Sequence, residues 1–133
     1  MDQFSQGIEV VTTAFIKKGN QFLLAKANNS DTWFPVVGHI EPGEKILDAC
    51  KREVEEEVGL RIQPAKIIDF GEAILKKSHF IYFIILFELH EGKDVKAEEG
   101  ELEFNWFSIE EALELNIAEI FRDTVKSFKK YLH

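Results

Sequence analysis

One cysteine, Cys50, is all the chain carries, so no disulfide can brace it from within. Stability has to come from a buried core, and a reducing, cytoplasmic setting is the simplest expectation. Long apolar runs are missing too. The most apolar segment, from Phe80 to Leu89, falls well short of the roughly 20 residues a membrane-spanning helix needs, and no membrane partner is expected. The opening residues, MDQFSQGIEV, lack the basic and apolar regions of a signal peptide. Positive charge is scarce: 16 Lys and Arg stand against 24 Asp and Glu, a formal net charge of -8. With no basic patch in the sequence, that balance argues against a nucleic-acid polymer as partner. No linker, low-complexity stretch or internal repeat divides the 133 residues. One domain, 1-133, is therefore expected, long enough to bury a core.

What the chain does have is periodicity. Ile8 to Ile16 is rich in β-branched residues and reads as a strand, turned by Lys17-Lys18-Gly19-Asn20 into a second strand over Gln21 to Ala25. Asn28-Asn29-Ser30-Asp31 is a loop leading to Trp33. Lys66 to Ile74 and His79 to Leu89 read as two strands joined through Lys76-Lys77-Ser78, and the second is apolar almost without alternation, which predicts cover on both its faces. Glu91 to Gly100 reads as a charged loop. Leu102, Phe104 and Trp106 then alternate with Glu101, Glu103 and Asn105 in a short final strand. Ser108 with Glu111 forms a capping-box pattern opening a short helix. Ile117, Ile120, Phe121, Val125 and Phe128 come next at helical spacing, a stripe expected to be core rather than a binding surface. This order suits an α/β/α sandwich around a mixed sheet.

The densest information lies between Gly38 and Leu60, GHIEPGEKILDACKREVEEEVGL. On a wheel of about 100° per residue, Ile46, Leu47, Cys50, Val54 and Val58 gather on one side of a helix over Lys45 to Val58, and that side should face a core. Gly59 supplies a left-handed C-cap. Glu53, Glu56 and Glu57 stand at i, i+3 and i+4, so their carboxylates share a stripe beside the apolar face. Charge runs usually mean a solvated face, and like charges at this spacing destabilise a helix by a few tenths of a kcal/mol per pair. A divalent cation reverses that sign, because hard cations such as Mg²⁺ and Mn²⁺ take oxygen ligands.

The segment resembles the signature of the Nudix hydrolases, G-x5-E-x7-R-E-U-x-E-E-x-G-U with U a bulky aliphatic residue. Every fixed position is met, by Gly38, Glu44, Arg52, Glu53, Val54, Glu56, Glu57, Gly59 and Leu60. The resemblance implies an α/β/α Nudix fold and a Mg²⁺- or Mn²⁺-dependent hydrolase of a nucleoside diphosphate linked to another moiety X. It implies Glu53, Glu56 and Glu57 as metal ligands, with the Gly38 carbonyl as a further one. It makes Arg52 and Glu44 the residues that orient the acids. Glu53 is the box candidate for the base that activates water, although some members of the family take that base from a distant loop. Glu99, Glu101 and Glu103 lie where many members place one more acidic ligand, and Glu101 is the foremost of the three. Trp33 and Phe34, just before the box, are placed to stack on a base or to pack in the core. His39, inside the box loop, is placed to contact a phosphate or to stabilise the loop. One departure stands out: members often carry Pro-Gly-Gly into the box, where this chain has Pro35-Val36-Val37-Gly38.

For the substrate, the resemblance implies a small nucleotide. Leu75, Lys76, Lys77 and Ser78 supply neither the proline of some ADP-ribose hydrolases nor the tyrosine of dinucleoside polyphosphate hydrolases, which favours a nucleoside or deoxynucleoside triphosphate. A sugar nucleotide, a dinucleotide, or a domain that senses nucleotide without cutting it are the alternatives, the last normally marked by degenerate box glutamates. A homodimer is an expectation from the resemblance alone.

Overall fold

In a computed structural model describing residues 7–90 and 101–132, β1 (Ile8–Lys18) and β6 (Ser78–Glu88) run parallel at the centre of a mixed sheet. Their pairing runs from Ile8 with His79 to Lys17 with Glu88. Parallel neighbours need a long connection. Here it carries β2 (Gln21–Ala27), β3 (Trp33–Phe34), β4 (Val36–His39), α1 (Ile46–Val58) and β5 (Lys66–Leu75). On its other side β1 meets two strands in turn: β4 pairs antiparallel with Val11 to Ala14, and β2 pairs with the end of β1 through a tight turn at Gly19. β5 forms the edge beyond β6, and β7 (Leu102–Phe107) joins β2.

Two apolar layers cover the sheet. α1 brings Cys50, Val54 and Val58 onto Ala14, Ile16, Leu23, Ile85 and Phe87. On the opposite face, Ile109 and Ala112 of α2 (Ile109–Leu113) and Val125 of α3 (Arg122–Ser127) join Phe15, Phe22, Leu24, Ile84 and Leu86. Phe15 and Phe128 stack there at 4.3 Å. The expected α/β/α layering is thus present, with successive residues of β6 feeding opposite cores. Cover on both faces holds only for Ile84 to Phe87, however. The stretch from Ser78 to Phe83 is half-buried, with Tyr82 and Phe83 packed at the margins of the two cores.

The final helix differs from expectation. Trp33 donates its N–H to the Asn116 carbonyl and accepts from Ala118, so this stretch is held as strand-like backbone and Ile117 bridges to Trp33. A 3-10 turn (Glu119–Phe121) comes next, then α3 and a second 3-10 turn (Phe128–Tyr131). Ile117, Val125 and Phe128 are core as expected, whereas Ile120 and Phe121 are half-exposed and line a cavity. The strands β3 and β4 were not legible as strands. The capping box is present in full: Ser108 Oγ accepts from the Glu111 N–H at 3.1 Å, and the Glu111 carboxylate accepts from the Ser108 N–H at 2.9 Å. The loop at 91–100 lies outside the described residues. No helix among the described residues is long and apolar enough to cross a membrane.

Candidate active site

Arg52 is the hub of the box. Its side chain projects from α1 towards the loop before the helix and grips Glu44 with two parallel bonds, Nε to Oε2 at 2.8 Å and Nη2 to Oε1 at 3.0 Å. Nη1 donates to Glu53 at 2.8 Å and to Glu56 at 3.4 Å, and Nη2 also donates to the His39 carbonyl at 3.2 Å. Bidentate contacts of this kind fix a carboxylate's rotamer as well as its charge. Glu44 in turn accepts from the Glu41 N–H at 3.1 Å, closing a turn in which Gly43 takes φ +83°. The Arg52 guanidinium, and secondarily the Glu41 N–H, hold the Glu44 carboxyl below the usual carboxylate range. Arg52 is itself made a weaker acid, chiefly by Glu44.

Glu53 lies across Gly38. A Cβ on residue 38 would overlap the Glu53 Cγ and carboxyl carbon and sit 2.6 Å from Oε1, so any larger residue here would push the Glu53 side chain out of this position. β4 presents Gly38 on the α1 side because it pairs with Thr12. Glu57 is an exposed residue, yet its carboxyl is pushed up to about 7, first by desolvation, then by the Glu53 charge, a hydrogen bond with Glu53, and the Glu56 charge. The box glutamates therefore do crowd one another, as the helical spacing predicts, and the Arg52 guanidinium answers Glu53 and Glu56. Among the described residues no three acidic, His or Cys side chains are already drawn into ligating geometry, since Arg52 holds Glu53 and Glu56. The donor set is nevertheless all oxygen and anionic, the chemistry that hard divalent cations take.

The other expected residues sit further out. The His39 imidazole bonds Glu9 at 2.8 Å, and its ring is largely exposed. Trp33 packs edge-to-face on Phe107 at 4.9 Å, on the sheet face away from α1, and Phe34 is half-buried beside Ala25. Glu103 pairs with Lys26 at 3.2 Å. Glu101 is exposed at the bend opening β7, its carbonyl accepting from Asn28. Among the described residues no bond joins its carboxylate to the box glutamates. Glu99 lies outside the described residues.

Sequence reasoning missed a cavity of about 350 Å³ that opens beside Gly38 and His39 on the face away from α1. Val11, Val37, Phe80, Tyr82, Ile120 and Phe121 form most of its wall. One signal was available. Gly71 sits inside a strand, and glycine there marks a close approach; it pairs with Tyr82, whose Oη would be 2.5 Å from a Cβ at 71.

A family model of the NUDIX domain matches residues 8–128. The chain is 31% identical over 106 residues to the 8-oxo-dGDP phosphatase NUDT18 of Mus musculus, covering 74% of this chain and 31% of that protein. It therefore spans under a third of that relative's length. It is also 31% identical over 104 residues to the asymmetrical bis(5'-nucleosyl)-tetraphosphatase of Sus scrofa, covering 71% of this chain and 69% of that protein. The crystal structure of a MutT protein from Methanosarcina mazei Go1 matches with a TM-score of 0.76 at 26% identity, over 96% of this chain and 97% of that one.

Proposed function

The chain belongs to the NUDIX family, and from that premise we propose that it is a Mg²⁺- or Mn²⁺-dependent pyrophosphohydrolase cutting a nucleoside or deoxynucleoside triphosphate to monophosphate and pyrophosphate. The observation that carries the reading is the crowding of Glu53, Glu56 and Glu57, of which the Arg52 guanidinium reaches only the first two. Negative charge left uncompensated to this degree supports a cation as its missing partner. The similar phosphatase and tetraphosphatase are themselves named for small nucleotides.

In this reading Glu53, Glu56 and Glu57, with the Gly38 carbonyl, hold the metal. When bound, the metal lowers the pKa of the attacking water and neutralises the phosphate oxygens. The chain's own residues do the positioning. Glu44 anchors Arg52, Arg52 fixes one oxygen of Glu53, and Glu53 stands ready to accept the proton of the water that attacks phosphorus. The formal charge of -8 would repel a polyphosphate from bare protein, so binding requires the cation first. The cavity beside Gly38 takes the part of the substrate that is not phosphate.

The test is a screen of purified protein against nucleoside triphosphates, dinucleoside polyphosphates and sugar nucleotides with Mg²⁺ or Mn²⁺, reading phosphate and pyrophosphate release. Glu56→Gln and Glu57→Gln should each lower turnover by several orders of magnitude while leaving circular dichroism unchanged; full activity in both would reject the site. Tight binding without any release would instead make the chain a sensor.

A further inference from the structure

Six large apolar side chains stand exposed among the described residues, and five of them share one patch of the sheet: Ile8, Val10, Ile67, Phe70 and Ile74. Strand register brings them together. Ile8 and Ile74 flank His79 on either side, Val10 lies beside Ile81, and Phe70 lies beside Phe83 with the two rings 6.4 Å apart. Ile67 pairs with Ile85, which is buried under α1, so all five continue the α1 face of the sheet towards β5. Neither apolar core takes in any of them, and Phe70 is 71% exposed. A solvated sheet face normally carries polar side chains at such positions.

β5 is also the last strand of the sheet, and the start of its edge is guarded. A bulge interrupts the ladder between Ile67 and Asp69, Tyr131 Oη donates to the Ile68 carbonyl at 2.9 Å, and Lys130 lies 3.9 Å from Asp69. Such devices discourage the addition of another strand. The face beside that edge has no matching guard, because Glu72, its one acid, is already bonded to His79 at 3.0 Å. A formal charge of -8 disfavours an anionic membrane or a nucleic acid as the cover. Size favours a second copy. The five side chains expose roughly 500 Å², and a stable dimer needs about 800 Å² from each partner, about 65% of it apolar in homodimers. A two-fold contact uses one patch twice, so this surface suffices by itself. We propose that it is the interface of a homodimer, in which two copies pack sheet face against sheet face with Phe70 and Ile74 as the anchors. β4, which carries Gly38, flanks β1 on the side away from β6 and β5, so the inference does not depend on the activity proposed above.

The experiment is sedimentation velocity of the full chain from low to high micromolar concentration, with hydrogen exchange measured over the same range. Phe70→Lys and Ile74→Lys are compared with the wild type, and Leu113→Lys, at the sixth exposed apolar residue and outside the patch, is the control. The wild type should pass from one chain to two as concentration rises. Phe70→Lys and Ile74→Lys should each raise the dissociation constant by about tenfold or more, and Leu113→Lys should leave it unchanged. Exchange at residues 8–10 and 66–75 should slow as the dimer forms. A dimer that both patch variants leave intact overturns the inference. So does a wild type that stays monomeric, and shielding of residues 66–75 at every concentration would then assign the cover to another part of the chain. All three substituted residues are exposed, so circular dichroism should not change. Should a patch variant lose its fold, exchange in the wild type decides: slowing at 8–10 and 66–75 with concentration supports the interface, and its absence there overturns it.

Discussion

Glu53 rests directly against the Cα of Gly38, so the principal acid of the box and the strand that faces it occupy one another's space. The Arg52 guanidinium then pins that acid from the other side at 2.8 Å.

Gly38→Ala forces a methyl into the Glu53 carboxyl. Overpacking of this sort costs about 1 to 3 kcal/mol. Activity should fall much further than stability, because the displaced group is the acid itself. Paired measurements of Tm and kcat check this; an active variant with an unchanged Tm would mean Glu53 does not need its place over residue 38.

Arg52→Lys keeps a positive charge but loses the two-pronged grip on Glu44 and the simultaneous reach to Glu53. Activity should drop by about tenfold or more, and the rise in Tm on adding Mn²⁺ should shrink, since the acids would no longer be held in place. Near-wild-type kinetics would show that charge alone suffices.

Glu57 gives the metal-free protein a pH signature. Its carboxyl is held at about 7 against an ordinary value near 4.5, so the folded state keeps a proton that the unfolded state releases. The stability it lends is present in full below the unfolded value and is lost as pH climbs through about 7. The Tm of the metal-free wild type, relative to that of Glu57→Gln, should therefore fall between pH 4.5 and 7. Mg²⁺ should offset the loss, because a bound cation favours the ionised form. Parallel melting curves for the two proteins would sink the idea.

Glu44 works in the opposite direction. Its depressed carboxyl lends stability that is present above the unfolded value of 4.5 and is lost as pH falls through the lower folded one. Glu44→Gln should make the acid limb of a Tm-against-pH curve shallower; an unaltered limb would deny the Arg52 contact its role.

Ser108→Ala removes one half of the capping box and should cost about 1 kcal/mol. Chemical denaturation is the measurement, and no effect on kcat is expected.

Local spacing carried the parts that sequence reasoning reached. The register of Glu53, Glu56 and Glu57, the apolar stripe of α1 and the pairing of Ser108 with Glu111 are all set within a turn or two of helix. The parts that escaped depend on distant partners. Trp33 holds Asn116 and Ala118 as extended backbone, which breaks the expected last helix and leaves Ile120 and Phe121 only half-buried, Phe121 packed at the margin of the core. β4 is a strand only because β1 lies beside it. The cavity needs β1, β4, β5, β6 and the Glu119–Phe121 turn together, so no single window of sequence could display it.

Along β4, Val37 and His39 look into the cavity, while Gly38 between them looks towards Glu53. On the function proposed above, one strand thus keeps the scissile end and the recognised end of a substrate on its two sides, as the rim of a wall separates two rooms. Adding or deleting a single residue there would swap the rooms, which makes the length of this four-residue strand a gauge of the molecule the protein can accept.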